Sequence, residues 1–268
     1  MARIAVAATA PFGADVLRRL ASRHEVVTLV TRPDAPRGRG RQLAPPPAKV
    51  VAESLRIPVL QPARLTRDVC IHSHHLDAVV VAAYGLLIPE DLLGEPLWLN
   101  VHPSLLPRWR GAAPVERALI AGDAETGVTI HETVKELDAG PIAAQQSFPV
   151  GLDDDAGVVF ERSAGVAAEL LDQALGGPTD FRPQPGEGVT YADKITAADR
   201  EVDLSRPALE VHNRVRALSP HIGARATVDG RRLTVWRTRI VDGELELLEV
   251  QPEGRRRMAY EAYLRGLR

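Results

Sequence analysis

Short apolar runs alternate with stretches of helical period through the first half of the chain, and this constrains the fold more than any other feature. Residues 3–9, 25–31, 57–60, 76–83, 97–102 and 127–131 read as strands, and residues 13–23 and 48–55 read as helices. The first helix carries its apolar stripe at Val16, Leu17 and Leu20. The run at 76–83, LDAVVVAA, is almost uninterrupted, as expected of a strand covered on both faces. Strands alternating with helices predict an α/β fold, a Rossmann-like and mostly parallel sheet. Helical spacing returns over residues 158–175.

The pattern then breaks. Residues 176–188, GGPTDFRPQPGEG, hold three Pro and four Gly in thirteen positions and cannot continue a helix. We therefore expect a first domain at 1–176, a linker at 177–190 and a second domain at 191–268. In the second, residues 207–218 read as one helix with Pro207 at its first position and Ser205 near the N-cap. Strand-like runs follow at 224–228, 232–241 and 244–250, separated by Asp229-Gly230 and Asp242-Gly243, which are hairpin signals. A small antiparallel β domain is expected. At about 150 residues per domain, 268 residues suit two.

The net charge of −2 excludes a protein that coats nucleic acid by bulk positive charge. The balance is uneven, however. Residues 200–268 carry 14 basic and 10 acidic side chains, against 19 and 25 in residues 1–199. No apolar run approaches the roughly 18 residues of a membrane span, so a cytoplasmic protein is expected. One cysteine, Cys70, excludes an intrachain disulfide. His72, His74 and His75 lie near it without a helix-spaced carboxylate, and no metal site is expected. Neither G-x-G-x-x-G nor a P-loop motif occurs, nor does a G-x-S-x-G elbow.

Chemistry concentrates at residues 99–114, LNVHPSLLPRWRGAAP. Asn100 and His102 are alternate residues of a strand and share a face. They fall at its carboxyl end, where open α/β sheets bind ligands. Asp138 follows in the loop sequence LDAGP. An amide can donate to a developing oxyanion, an imidazole can accept a proton near neutral pH, and a carboxylate can orient that imidazole. These are the parts of an acyl-transfer site without a protein nucleophile. The residue types alone also fit a structural histidine at a strand end and a turn asparagine.

The pattern N-x-H-x-S-L-L-P-x-x-x-G-x-x-P, with L-D-x-G about thirty residues later, resembles the folate-dependent formyltransferase family. The resemblance continues through VVAAYG at 80–85, GDAETGVTI at 122–130, YADKI at 191–195, Arg216-Ala217-Leu218 and LEVQPEGRRRM at 248–258. It implies that Asn100, His102 and Asp138 are catalytic and that the donor is 10-formyltetrahydrofolate. It further implies direct attack of an acceptor amine on the formyl carbon, without a metal. Tyr84, Gly85, Leu86, Ile88, Pro89, Ser104, Leu105, Leu106 and Pro107 would line or shape the folate pocket.

The acceptor is indicated by residues 32–49, RPDAPRGRGRQLAPPPAK. This segment resembles the loop with which the methionyl-tRNA branch of the family grips the acceptor stem, and Arg37, Arg39 and Arg41 would be its tRNA-binding residues. Guanidinium groups on a glycine-rich backbone suit phosphates and opened base ends. The resemblance thus implies formylation of initiator Met-tRNA for translation initiation by a monomer. It leaves two alternatives: formylation of a nucleotide-linked amino sugar, and non-catalytic binding of RNA or folate. The second domain would be OB-like in this family, and here it is shortened by several tens of residues before position 248.

Overall fold

The computed structural model describes residues 1–37, 40, 42–67, 75–177 and 179–267. Its elements run β1 (Arg3–Ala8), α1 (Pro11–Ala21), β2 (Glu25–Val30), β3 (Ala35–Arg37), β4 (Gln42–Ala44), α2 (Pro47–Ser54), β5 (Val59–Leu60), β6 (Ala78–Ala82) and β7 (Leu97–His102). They continue with β8 (Arg110–Gly111), α3 (Pro114–Ala121), β9 (Glu125–Glu132), β10 (Ile142–Pro149), α4 (Ala156–Leu175) and β11 (Tyr191–Ala192). The last are α5 (Ala208–Leu218), β12 (Ala224–Val228), β13 (Arg231–Val241), β14 (Glu244–Pro252), β15 (Met258–Ala259) and α6 (Tyr260–Arg265).

The chain forms two compact units. The first comprises Met1–Arg110, Gly127–Ser147 and Glu161–Val189. The second comprises Gly111–Thr126, Phe148–Phe160 and Thr190–Arg268. Two internal segments thus belong with the C-terminal residues, a grouping that local sequence pattern does not reveal.

The first unit is built on a seven-stranded sheet in the order β10-β9-β7-β6-β1-β2-β5. Strands β5, β2, β1, β6 and β7 pair in parallel, and β9 joins β7 antiparallel. Every residue of β6 is buried, which is why its sequence is apolar without alternation. Chain order reverses between β1 and β6, the switch point where such sheets open a crevice beyond their carboxyl ends. Gly13 lets α1 lie close there. A Cβ on Gly13 would fall 2.2 Å from the Ala82 carbonyl oxygen and 2.8 Å from the Ala8 Cβ.

The second unit carries the antiparallel sheet β12-β13-β14-β15. Helix α5 lays Val211, Val215 and Leu218 on the inner face of Ala224, Ala226, Leu233, Val235 and Val250, and Tyr263 of α6 joins them. Among the described residues no pairing joins β12 to β15. On its other edge β12 bridges in parallel from Arg225 to Glu201. Pro207 itself occupies the N-cap of α5, and Ser205 instead hydrogen-bonds Asp203. Proline supplies no side-chain cap, so the expected serine cap is not used.

Two internal segments are fastened within this unit by arginine. Arg216 of α5 donates to the carbonyl oxygens of Gly151 (2.9 Å) and Asp154 (3.0 Å). Arg117 of α3 pairs with Asp199 at 2.7 Å and donates to the Asp193 carbonyl. That guanidinium holds the Asp199 carboxyl well below the usual carboxylate range. No helix of the described residues is long and apolar enough to cross a membrane.

Candidate active site

Strand β7 has the bounds expected, and its last turns of register build the site. Asn100 pairs across the sheet with His131 of β9, and His102 pairs with Thr129. The two β7 side chains share a face and both reach Asp138. The Asn100 Nδ2 donates to Asp138 Oδ1 at 3.2 Å, and His102 Nδ1 lies 3.6 Å from Asp138 Oδ2. On its far side His102 Nε2 donates to the Trp109 carbonyl oxygen at 2.8 Å. Both imidazole nitrogens therefore face oxygen atoms, in a ring only 4% exposed.

A second imidazole, unassigned by the sequence reading, completes the cluster. His131 is 1% exposed, and its Nδ1 donates to the Glu132 carbonyl at 2.8 Å. Its Nε2 must then be the acceptor, and it lies 3.0 Å from Asn100 Nδ2. Burial pushes the His131 pKa down to about 4, with the neighbouring His102 acting in the same direction. Asp138, 3.7 Å from the Nε2 of His131, opposes the shift without overcoming it. At neutral pH His131 is a neutral acceptor, and it fixes the Asn100 amide with nitrogen toward it.

Asp138 sits in left-handed backbone with φ of 47°. Such a conformation persists in a non-glycine residue only where surrounding contacts determine it. Here Gly140 packs so tightly that a Cβ would lie 1.8 Å from the Glu132 carbonyl oxygen. Gln184 reaches the same turn. Its Nε2 donates to the Asp138 carbonyl at 2.7 Å and to the Gly140 carbonyl at 2.8 Å. Part of the stretch read as linker is thereby hydrogen-bonded into the first unit.

The loop after β7 is organised by Thr129. Its hydroxyl donates to the Ser104 carbonyl at 2.7 Å and accepts from the Leu106 amide at 3.1 Å and the Gln145 side chain at 2.8 Å. Ser104 donates to the Arg108 carbonyl at 2.7 Å, closing its own turn. Leu106 is buried beneath this turn, while Leu105 and Pro107 are partly exposed.

The other segment assigned to the folate pocket follows β6. Tyr84 is 2% exposed, packed against Val30, Val79 and Trp98, and burial pushes its hydroxyl up to about 12. Leu86 and Ile88 pack against the same cluster, and Leu87 between them is exposed. Gly85 takes φ of 76°. Thr9, at the end of β1, donates to the Tyr84 carbonyl at 2.7 Å, so this loop and the end of β1 meet at the switch point.

Of the arginine-rich segment, Arg37 ends the short strand β3, which pairs antiparallel with β4. Its base is held by Asp34, which accepts from Lys49 at 2.9 Å and from Gln61 at 2.7 Å. Arg39 and Arg41 lie outside the described residues, as do Cys70, His72 and His74.

Residues 2–175 match the family described as Formyl transferase, and residues 194–246 match Formyl transferase, C-terminal domain. The chain belongs to the formyl transferase family. The resemblance drawn from the motifs holds along the length of this formyl transferase. It is 39% identical over 290 residues to the methionyl-tRNA formyltransferase of Paracoccus denitrificans, covering 99% of this chain and 97% of that protein. That alignment is longer than this chain, so the relative carries residues that this formyl transferase lacks. Among solved structures, methionyl-tRNA formyltransferase from Clostridium thermocellum superposes with a TM-score of 0.65 at 13% identity, covering 94% of this chain and 99% of that one. HypX from Aquifex aeolicus, in complex with tetrahydrofolic acid, superposes with a TM-score of 0.67 at 16% identity over 98% of this chain and 47% of that one.

Proposed function

We propose that this formyl transferase moves a formyl group from 10-formyltetrahydrofolate to the methionyl amine of initiator Met-tRNA, the step that prepares it for translation initiation. The observation that carries the reading is the shared carboxylate of Asp138. It meets an amide and an imidazole delivered by one strand, in a chain similar to methionyl-tRNA formyltransferases throughout.

In this reading the acceptor nitrogen bonds to the formyl carbon, the bond from that carbon to the donor nitrogen breaks, and one proton passes from the acceptor to the donor nitrogen. The formyl oxygen carries negative charge between the two events. Asn100 supplies an amide N–H to that oxygen, exchanging it from Asp138, while His131 keeps the amide from rotating. His102 sits on the same face to stabilise the charge and pass the proton, and Asp138 orients its ring. No protein nucleophile is required. The donor is read as entering at the switch point, between the loop of Tyr84, Gly85, Leu86, Ile88 and Pro89 and the turn of Ser104, Leu105, Leu106 and Pro107. The folate-bound relative of like fold supports that choice of donor.

Arg37, Arg39 and Arg41 are read as the tRNA contacts. The protein is read as a cytoplasmic monomer with a formyltransferase segment at 1–176, a linker at 177–190 and a shortened C-terminal domain at 191–268. The family matches at 2–175 and 194–246 support that division. The test is a direct assay: purified protein, 10-formyltetrahydrofolate and charged Met-tRNA, with nucleotide-linked amino sugars as competing acceptors. Formyl-methionine on the tRNA is expected. Formylation of the sugar alone overturns the reading.

A further inference from the structure

We propose that Gln184, together with Arg110, is a positioning residue for Asp138, a role that rests on the proposed catalysis by Asp138. The carboxamide of Gln184 makes four polar contacts, and they agree on one orientation. Its Nε2 donates to the carbonyl oxygens of Asp138 and Gly140 at 2.7 and 2.8 Å. Its Oε1 accepts from Arg110 Nε at 3.1 Å and Nη2 at 2.5 Å. Rotating the amide would set oxygen against two carbonyls and nitrogen against a guanidinium, so the side chain has one stable setting.

The clamp acts where it matters for geometry. It grips the main chain at Asp138 and Gly140, at and immediately after the left-handed residue whose carboxylate reaches Asn100 and His102. The backbone beside it is stitched as well. Arg182 and Ile142 exchange two main-chain hydrogen bonds, of 2.7 and 2.9 Å, just after the turn. Arg110, the first residue of β8, directly follows Trp109, whose carbonyl accepts from His102. Gln184 therefore ties the carboxylate's turn to the imidazole's loop, 46 and 74 residues away from it in sequence.

Freeing this clamp leaves the substrate-binding surfaces in place and loosens the carboxylate against its partners. Misplacement by about 1 Å at such a site can cost up to about a hundredfold in rate. The test uses the full chain with Gln184→Ala and Gln184→Glu, assayed beside wild type for Met-tRNA formylation. Gln184→Glu keeps the length and the acceptor for Arg110 but sets a carboxylate oxygen against two carbonyls. We expect kcat to fall at least about tenfold in both variants. KM for donor and for Met-tRNA stays within about twofold, the melting temperature holds, and hydrogen exchange of the 138–141 amides quickens. If Gln184→Ala does not fold, Gln184→Glu decides alone. Wild-type kcat in the variants overturns the proposal, as does a loss of kcat that tracks a lowered melting temperature. Absence of formylation by wild type instead defeats the functional reading, and is seen before any variant is compared.

Discussion

Asn100 Nδ2 lies 3.0 Å from His131 Nε2 across the β7–β9 pairing, and the Nδ1 of His131 is already spent on the Glu132 carbonyl. The asparagine amide is therefore oriented by a histidine that must stay neutral.

That requirement gives a pH dependence with a definite sign. Burial in the folded chain pushes the His131 pKa down to about 4, below its ordinary value of about 6.5. Between those values the unfolded chain binds the additional proton. The stabilisation tied to neutral His131 is complete above about pH 6.5 and is lost progressively as pH falls from there toward about 4. Urea titrations of wild type and His131→Leu from pH 7 to pH 4 should show wild type losing stability more steeply. Parallel curves contradict this. The same variant frees the Asn100 amide, and its kcat should fall about tenfold at pH 7.

Gly140 makes a separate prediction about the turn that carries Asp138. With a Cβ placed 1.8 Å from the Glu132 carbonyl oxygen, Gly140→Ala must displace backbone. A cost of about 3 kcal/mol is expected in a urea titration, accompanied by loss of formylation. A variant of wild-type stability would show that the turn has room it is not seen to have.

The local parts of this structure were legible in the sequence. Asp229-Gly230 and Asp242-Gly243 announced the two hairpins because both positions of each pair need positive φ, and they take 48° and 71°, then 51° and 85°. Asn100 and His102 were legible because alternation along one strand puts them together. His131 was not, because its partner is fixed by antiparallel register with a strand some thirty residues earlier. Gln184 lay in a Pro- and Gly-rich stretch that reads as a connector, and only its long-range hydrogen bonds reveal its place. Strand β10, IAAQQSFP, carries three consecutive exposed residues and no clean alternation, so it left no signal.

In the proposed reading Arg39 bears on the acceptor rather than the chemistry. Arg39→Ala should lower kcat/KM for Met-tRNA about tenfold and reduce the log–log salt slope of tRNA binding by about one, as for loss of one phosphate contact. Slow hydrolysis of the folate donor should continue at the wild-type rate. Equal losses of transfer and hydrolysis contradict this division between grip and catalysis.

In the proposed mechanism the Asp138 carboxylate, shared by Asn100 and His102, drives formyl transfer to Met-tRNA. Single-turnover formylation at saturating donor and enzyme, comparing wild type with Asp138→Asn, tests it most directly. The substitution preserves shape and removes the charge that orients His102, so the rate is expected to fall by at least about a hundredfold with an unchanged melting temperature. A single-turnover rate within about twofold of wild type would contradict it.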